Sequence, residues 1–227
     1  MKKLVVLTGA GMSAESGIKT FRESNGLWEE YNVMDVASID GWFRNPELVQ
    51  QFYNQRRKQL ETCSPNAGHV GLTLLEQDFE LTIITQNVDN LHERAGSKNI
   101  IHLHGELTKA RSVSNDNLIT DIGYNDIKMG ETASDGNQLR PHIVWFGEAV
   151  PMFDAAVSIT KQADILVIIG TSLNVYPAAG LVNYVKPGVP VFIIDPNDVP
   201  GASKYIHIKK GASEGVSELI QKLELFK

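Results

Sequence analysis

The chain has 227 residues, 42% of them hydrophobic and 21% charged, with a formal net charge of −6. That is enough for one large domain, or for one domain carrying a small insertion, with the residue balance of an ordinary globular protein. The acidic charge, with Arg56-Arg57-Lys58 as the only concentrated basic stretch, excludes a general nucleic-acid-binding role. No stretch reaches the length of a transmembrane helix, and a single cysteine, Cys63, excludes an internal disulfide. These features point to a cytoplasmic protein with no membrane association, and a monomer is the default expectation.

The opening MKKLVVLTGAG has an apolar run of five residues, Leu4 to Thr8, too short for a signal peptide's apolar region. It reads as a first strand. TGAGMSAESGIKTFR (8–22) follows at once. Gly9 and Gly11 lack the Cβ atoms that would block a phosphate, and a following helix of small residues would aim free N–H groups at an anion. A tight turn with no ligand is the plainer alternative. Residues 23–64 then interrupt the pattern with aromatic clusters and a helix predicted over Pro46 to Thr62, started by Asn45-Pro46 and carrying Leu48, Phe52 and Leu60 near helical spacing.

A helix over Pro65 to Gln77 precedes the strands LTIIT (81–85) and NIIHLH (99–104). Residues 107–143 are rich in Ser, Asn, Asp and Gly, and a structureless loop of that length would be unusual in a compact domain. Beyond it come a helix over Asp154 to Ala163, the strand ILVIIGT (165–171), a helix over Pro177 to Val185, the strands VFIID (191–195) and YIHI (205–208), and a helix over Ala212 to Leu225. Continuous apolar strands suit a parallel sheet buried on both faces. Their alternation with helices argues for a doubly wound α/β sheet. The sheet domain is expected to comprise 1–22, 65–106 and 144–227, with 23–64 and 107–143 forming one smaller module inserted in two pieces.

Two chemical questions remain at this level. An ordinary NAD(H) dehydrogenase closes its second strand with an acidic residue about twenty residues after the glycine turn. Here that region reads GLWEEYNVMDVAS, which is no clean strand, so a dehydrogenase loses its main support. HLHGEL (102–107) places His102 and His104 one side-chain period apart at a strand end. On its own, either histidine reads more readily as a packed or solvated residue than as a catalyst.

GAGMSAESGIKTFR (9–22), TQNVDNLHERAG (85–96), HLHGEL (102–107), LRPHIVWFGE (139–148), GTSLNVYPAA (170–179) and GAS (211–213) together, in this order and spacing, resemble the sirtuins, NAD-dependent protein lysine deacylases. The resemblance covers nearly the whole chain, and the minimal length suggests the bacterial type, with an archaeal source as the alternative. It implies a Rossmann-like sheet domain plus a small domain made of two insertions, with NAD and an acylated-lysine protein substrate in the cleft between them. It implies that His104, immediately before the glycine, is the general base that takes a proton from a ribose hydroxyl after nicotinamide has left; an imidazole suits that step near neutral pH. His102 is then a structural neighbour. Gly9, Ala10, Gly11, Ala14 and Arg22 are implied around the NAD diphosphate and nicotinamide ribose, with Phe21 beside the nicotinamide. Gln86, Asn87 and Asp89 face the ribose and carboxamide, Gly170, Thr171 and Ser172 the adenosine side, and Asp195, Asn197 and Ala212 the adenine end. Asp195 stands where the family commonly has asparagine. Val144, Phe146, Gly147 and Glu148 match the segment that pairs with the substrate peptide by strand addition; Trp145 reads as plain core.

Two features refine the resemblance. QFYNQRRKQL (51–60) puts Tyr53 and Arg56 three apart on one helix face, matching sirtuins that remove negatively charged acyl groups. A guanidinium can hold a succinyl or malonyl carboxylate bidentately while the phenol adds a hydrogen bond. The plainer alternative is a partly buried tyrosine beside a solvated basic run. Second, most sirtuins hold a structural zinc with two C-x-x-C pairs between the H-G and the L-R-P. Here Glu106 to Arg140 contains no cysteine and no histidine, only Ser112, Asn115, Thr132 and Asp135 near those positions. No zinc and no other metal is expected. The resulting expectation is a desuccinylase and demalonylase with deacetylase activity, which releases nicotinamide and 2′-O-acyl-ADP-ribose. The competing readings are an NAD-dependent ADP-ribosyl transferase and a non-catalytic NAD or ADP-ribose binder.

Overall fold

A computed structural model describes residues 1–19, 27–28, 31–199 and 201–227. In chain order the strands and helices are β1 (Lys2–Thr8), β2 (Leu27–Trp28), β3 (Tyr31–Asn32), α1 (Val33–Val36), α2 (Ile39–Arg44), α3 (Pro46–Thr62), α4 (Ala67–Leu75), β4 (Phe79–Thr85), α5 (Leu91–Ala95), β5 (Ile100–His102), β6 (Gly105–Ser112), β7 (Ile119–Asp121), β8 (Leu139–Ile143), α6 (Phe153–Thr160), β9 (Ile165–Ile169), β10 (Val191–Ile194), β11 (Ile206–Ile208) and α7 (Ala212–Leu223). The six apolar runs of the sequence become one sheet in the order β11-β10-β9-β1-β4-β5, and every pairing in it is parallel.

The strands carry no polar alternation because both sheet faces are covered. Leu4 and Val6 of β1 pack with Leu72 and Leu75 of α4 and Val216 and Leu219 of α7. Val5 and Leu7, pointing the other way, pack with Ala156 of α6 and with Ala178 and Leu181. The chain runs outward from β1 through β4 to β5, then returns to β9 on the other side of β1. The strand order thus reverses between β1 and β9, and a crevice opens beyond the carboxyl ends of those strands.

The interrupting stretches are structured. Residues 107–143 contribute most of an antiparallel sheet in the order β7-β6-β8. Its central register pairs Arg111 with Ile119 on one side and with Arg140 on the other. The apolar pattern concealed this sheet because β7 is exposed at all three residues. A third apolar cluster joins Val36, Trp42, Val49, Phe52, Tyr53 and Leu60 to Leu107, Ile143 and Trp145. Arg57, which the plainer alternative placed in a solvated run, is fully buried. Its guanidinium donates to the carbonyl oxygens of Asn125 and Leu107 and so ties α3 to the small sheet. Asn54 beside it donates to the Ile127 carbonyl and accepts the Ile127 N–H, both at 3.0 Å.

Two expected helices are corrected. Residues Ala178–Tyr184 form a 3-10 helix rather than an α-helix, with Gly180, a poor α-helix former, in its interior. The glycine turn after β1 leads into two three-residue 3-10 turns, Ala10–Met12 and Ala14–Ser16, closed by Gly17 at φ +91°.

Candidate active site

A cavity of about 560 Å³ occupies the crevice and reaches across to the small module. From the first turn it is lined by Gly9, Ala10, Gly11 and Ala14; from the loop after β4 by Gln86, Asn87 and Asp89; and from the strand end beyond β5 by His104. Gly170, Thr171 and Ser172 close it after β9, Asp195 and Asn197 after β10, and Ala212 at the start of α7. Tyr53, Val144, Phe146, Gly147 and Glu148 line the side toward the small module. Phe21 and Arg22 lie outside the described residues. Arg56 does not count among the described lining residues. It is half-buried one turn from Tyr53, with its guanidinium 5.4 Å from the centre of the Phe52 ring.

The glycines serve a purpose that the sequence reading did not foresee. A Cβ on Gly11 would lie 2.6 Å from the Gly170 Cα, and one on Gly9 would lie 2.8 Å from the Thr171 Cβ. Their first need is therefore to let the β1 and β9 loops touch. Gly11 N–H donates to the Gly170 carbonyl at 2.9 Å. Gly170, at φ +62°, faces the same contact from the other side. Side chains thus stay off both walls at the bottom of the crevice, and backbone lines it.

The loop after β4 is held by its own polar groups. The Asn87 side-chain amide donates to the Gly9 carbonyl at 3.0 Å and to the Ser13 hydroxyl at 3.1 Å. Ser13 in turn donates to Asp89 at 2.9 Å, and Asp89 also accepts the Leu91 N–H. Burial raises the Asp89 carboxyl above its ordinary range against these two bonds. Ser13 was not singled out from sequence, although it sits inside the glycine motif. Gln86 donates from its amide to the Thr171 hydroxyl at 3.3 Å, linking the two sides of the switch point.

The two histidines of HLHGEL are now separable. The Nδ1 of His104 lies 3.1 Å from the Gln86 carbonyl oxygen. A carbonyl only accepts, so Nδ1 carries the hydrogen and Nε2 keeps its lone pair. Burial lowers the His104 pKa against that hydrogen bond, which favours the neutral, proton-accepting form. The Nδ1 of His102 lies 3.2 Å from the next carbonyl, that of Asn87, and its Nε2 lies 2.6 Å from a Glu93 carboxylate oxygen.

At the other end of the cavity Tyr53 is fully buried, and Trp145, expected as plain core, is 2% exposed. The Trp145 indole N–H donates to the Tyr53 hydroxyl at 3.0 Å. Its ring stacks on Trp42 and carries the Arg140 guanidinium 3.4 Å above its centre. Burial holds the Tyr53 phenol well above its ordinary pKa against the Trp145 bond, so it stays neutral. The Glu148 carboxylate turns toward the protein. It accepts two bonds from Arg140, one from Arg111 and one from the Trp145 backbone N–H.

The family's zinc positions hold other chemistry. Ser112 donates to an Asp135 carboxylate oxygen at 2.7 Å, and the second Asp135 oxygen accepts the Asn137 N–H. The Asn115 side-chain oxygen accepts the Asn117 N–H. These oxygen donors are engaged in turn hydrogen bonds and do not fit a tetrahedral nitrogen and sulfur site. Among the described residues the one cluster of three or more His, Cys, Asp or Glu side chains close enough to share an ion is Glu93, His102 and Glu106, none of which is among those positions. No helix among the described residues is long and apolar enough to cross a membrane.

Comparison with known proteins agrees with this geometry. The chain is 59% identical over 230 residues, covering 98% of both chains, to a Bacteroides thetaiotaomicron protein named NAD-dependent protein deacylase. It is 55% identical over 196 residues, 86% of this chain and 85% of the other, to a Helicobacter pylori protein of the same name. The structure superimposes with a TM-score of 0.89 on a Sir2 homologue solved as its NAD complex, at 38% identity, covering 99% of this chain and 90% of that one. Residues 9–177 match the sequence profile of the Sir2 family, and the chain belongs to that family, the sirtuins.

Proposed function

We propose that the chain is an NAD-dependent protein lysine deacylase that prefers succinyl and malonyl groups and also removes acetyl groups, releasing nicotinamide and 2′-O-acyl-ADP-ribose. The observation that carries the reading is the shared cavity: a backbone-lined crevice at the sheet's switch point, the neutral His104 and the buried Tyr53 phenol all face one space. Its proportions suit an extended dinucleotide. In this reading residues 1–22, 65–106 and 144–227 form the NAD-binding domain, and 23–64 with 107–143 form the small domain over the substrate.

Gly9, Ala10, Gly11 and Ala14, with Gly170, Thr171 and Ser172, would hold the diphosphate through backbone groups that approach closely without side chains. Arg22 and Phe21 would complete the nicotinamide side. Gln86, Asn87 and Asp89 would orient the nicotinamide ribose and carboxamide, while Asp195, Asn197 and Ala212 would take the adenosine end. Bound NAD supplies the ribosyl carbon to which the acyl oxygen transfers as nicotinamide leaves. His104 then removes the ribose hydroxyl proton at Nε2, with its Nδ1–H held by the Gln86 carbonyl. Val144, Phe146 and Gly147 would pair with the acyl-lysine peptide as an added strand, and Glu148 would hold that segment to Arg140 and Arg111. Tyr53 and Arg56, one helical turn apart on α3, would receive the acyl carboxylate. The small domain is proposed to fold without metal, with the Ser112–Asp135 hydrogen bond closing the ends that zinc ties in other sirtuins.

The test is a mass-spectrometric assay of purified protein with NAD and matched acetyl-lysine and succinyl-lysine peptides. NAD-dependent desuccinylation that disappears in His104→Ala is the expected outcome. Arg56→Met should lower desuccinylation about a hundredfold relative to deacetylation, because it removes a bidentate charged contact. Deacetylation alone would refute the acyl preference. ADP-ribosylated peptide, or NAD binding without turnover, would refute deacylation. One equivalent of zinc per chain by elemental analysis would refute the metal-free small domain.

A further inference from the structure

His102 and His104 each hold one of two consecutive carbonyls, those of Asn87 and Gln86. The two histidines nevertheless differ in protonation. His104 has an acceptor at Nδ1 that fixes its hydrogen there. His102 has acceptors at both nitrogens, the Asn87 carbonyl at 3.2 Å and the Glu93 carboxylate at 2.6 Å. Only an imidazolium donates to both. The His102 side chain is 9% exposed, while the Glu93 carboxylate reaches it from the partly exposed side. The charged and titratable groups facing it are Glu93 and the buried His92 on α5, Asp89 in the loop before α5, and Glu106 on β6 with Lys109 paired to it at 2.7 Å. Burial pulls the His102 pKa down. The Glu93 bond and charge, with smaller help from Glu106 and the Asn87 carbonyl, outweigh that pull and leave it above the ordinary histidine value.

We infer that Glu93 and His102 form a positioning pair whose charged state holds the Asn87 backbone, and through it the Asn87 side chain, in the geometry that receives NAD. The path is short. His102 grips the Asn87 carbonyl from behind the loop, the Thr85 hydroxyl takes the Asn87 N–H, and the amide between them reaches forward to Gly9 and Ser13 in the cavity wall. The HLHGEL strand end thus carries a base and a cation two residues apart. His104 works when neutral and His102 when protonated. Their opposite displacements from the ordinary pKa open a pH window in which both conditions hold. Below it His104 is protonated; above it His102 releases its proton and the grip on Asn87 weakens. The assignment rests on the NAD-binding reading but not on any acyl preference.

The test uses the full chain and two readouts, the NAD dissociation constant by calorimetry and kcat/KM for NAD with an acetyl-lysine peptide, each from pH 5.5 to 10. For the unaltered chain the expected kcat/KM profile is bell-shaped. His102→Gln should weaken NAD binding about tenfold, the loss of one charge-assisted hydrogen bond, and should remove the alkaline limb. Glu93→Gln keeps the shape of a half-exposed side chain and should move the alkaline limb to lower pH, because the carboxylate that raises the His102 pKa is gone. A role confined to stability would lower the melting temperature and leave the limb in place. NAD affinity and alkaline limb unchanged in both variants would overturn the inference while leaving the functional reading intact. No NAD binding by the unaltered chain would overturn both.

Discussion

Glu148 joins the segment after β8 to the small sheet, and replacing it with glutamine tests that joint. Its carboxylate accepts from Arg140 at 2.6 and 3.0 Å, from Arg111 at 3.2 Å and from the Trp145 N–H at 2.8 Å. Every partner is a donor, so an amide must aim its own N–H₂ at a donor whichever way it turns. Both guanidiniums are 5% exposed at the side chain and Glu148 is 16% exposed, so water compensates little. Breaking a buried ion pair by removing one partner costs about 3–5 kcal/mol. Arg111 has a second carboxylate, Asp116, at 3.4 Å, which places the expected loss near the lower end, about 3 kcal/mol. For a chain of this length that corresponds to a drop in melting temperature of roughly 6–12 °C. Urea unfolding at pH 7, followed by tryptophan fluorescence, measures the loss directly. High salt should restore little of it, because the pair is screened from solvent. A loss below about 1 kcal/mol would mean that the guanidiniums find other partners at no cost, and would refute the clamp.

Two further outcomes follow from the packing. Gly11→Ala sets a Cβ 2.6 Å from the Gly170 Cα and 3.0 Å from the Gly170 carbonyl oxygen, both backbone atoms. The β1 and β9 loops must then part, at a cost of about 1–3 kcal/mol, and NAD affinity should fall at least tenfold; melting and calorimetry that match the unaltered chain would sink this account of the crevice. Stability should also fall in acid. Burial pushes His69 down to about 4 and His92 down to about 3, with their rings 4.8 Å apart. Both folded values lie below the unfolded value of about 6.5, so the unfolded chain takes up protons first. The stabilisation is complete above about pH 6.5 and is lost as pH falls toward the folded values, by about 4 kcal/mol for the pair between pH 7 and 5. His92→Gln should halve that dependence. A pH-stability curve no flatter than that of the unaltered chain would remove His92 from the account.

Local chemistry made the sheet legible in the sequence, and the motif resemblance named most of the described residues that line the cavity. Runs such as LTIIT and ILVII have no polar alternation and can be buried only between two layers. The glycine turn follows the first of these runs, and the strand ends define where a ligand sits. His104 could be named from its motif, while the plain residue pattern favoured a packed or solvated residue for either histidine. Tertiary structure decided the rest, because it depends on groups far apart in the chain. The glycines are required where two loops 159 positions apart meet, since Gly11 touches Gly170. Trp145 reads as core by its surroundings, yet its N–H reaches Tyr53, 92 positions away. Arg57 is charged and sits in a basic run, yet it is buried because the carbonyls of Leu107 in β6 and of Asn125 beyond β7 meet its guanidinium. What separates the two histidines is Glu93, whose carboxylate meets the His102 Nε2 at 2.6 Å. Periodicity reports which faces are buried. It carries no information about which donor meets which acceptor once they are buried, and that pairing sets the protonation states on which the chemistry depends.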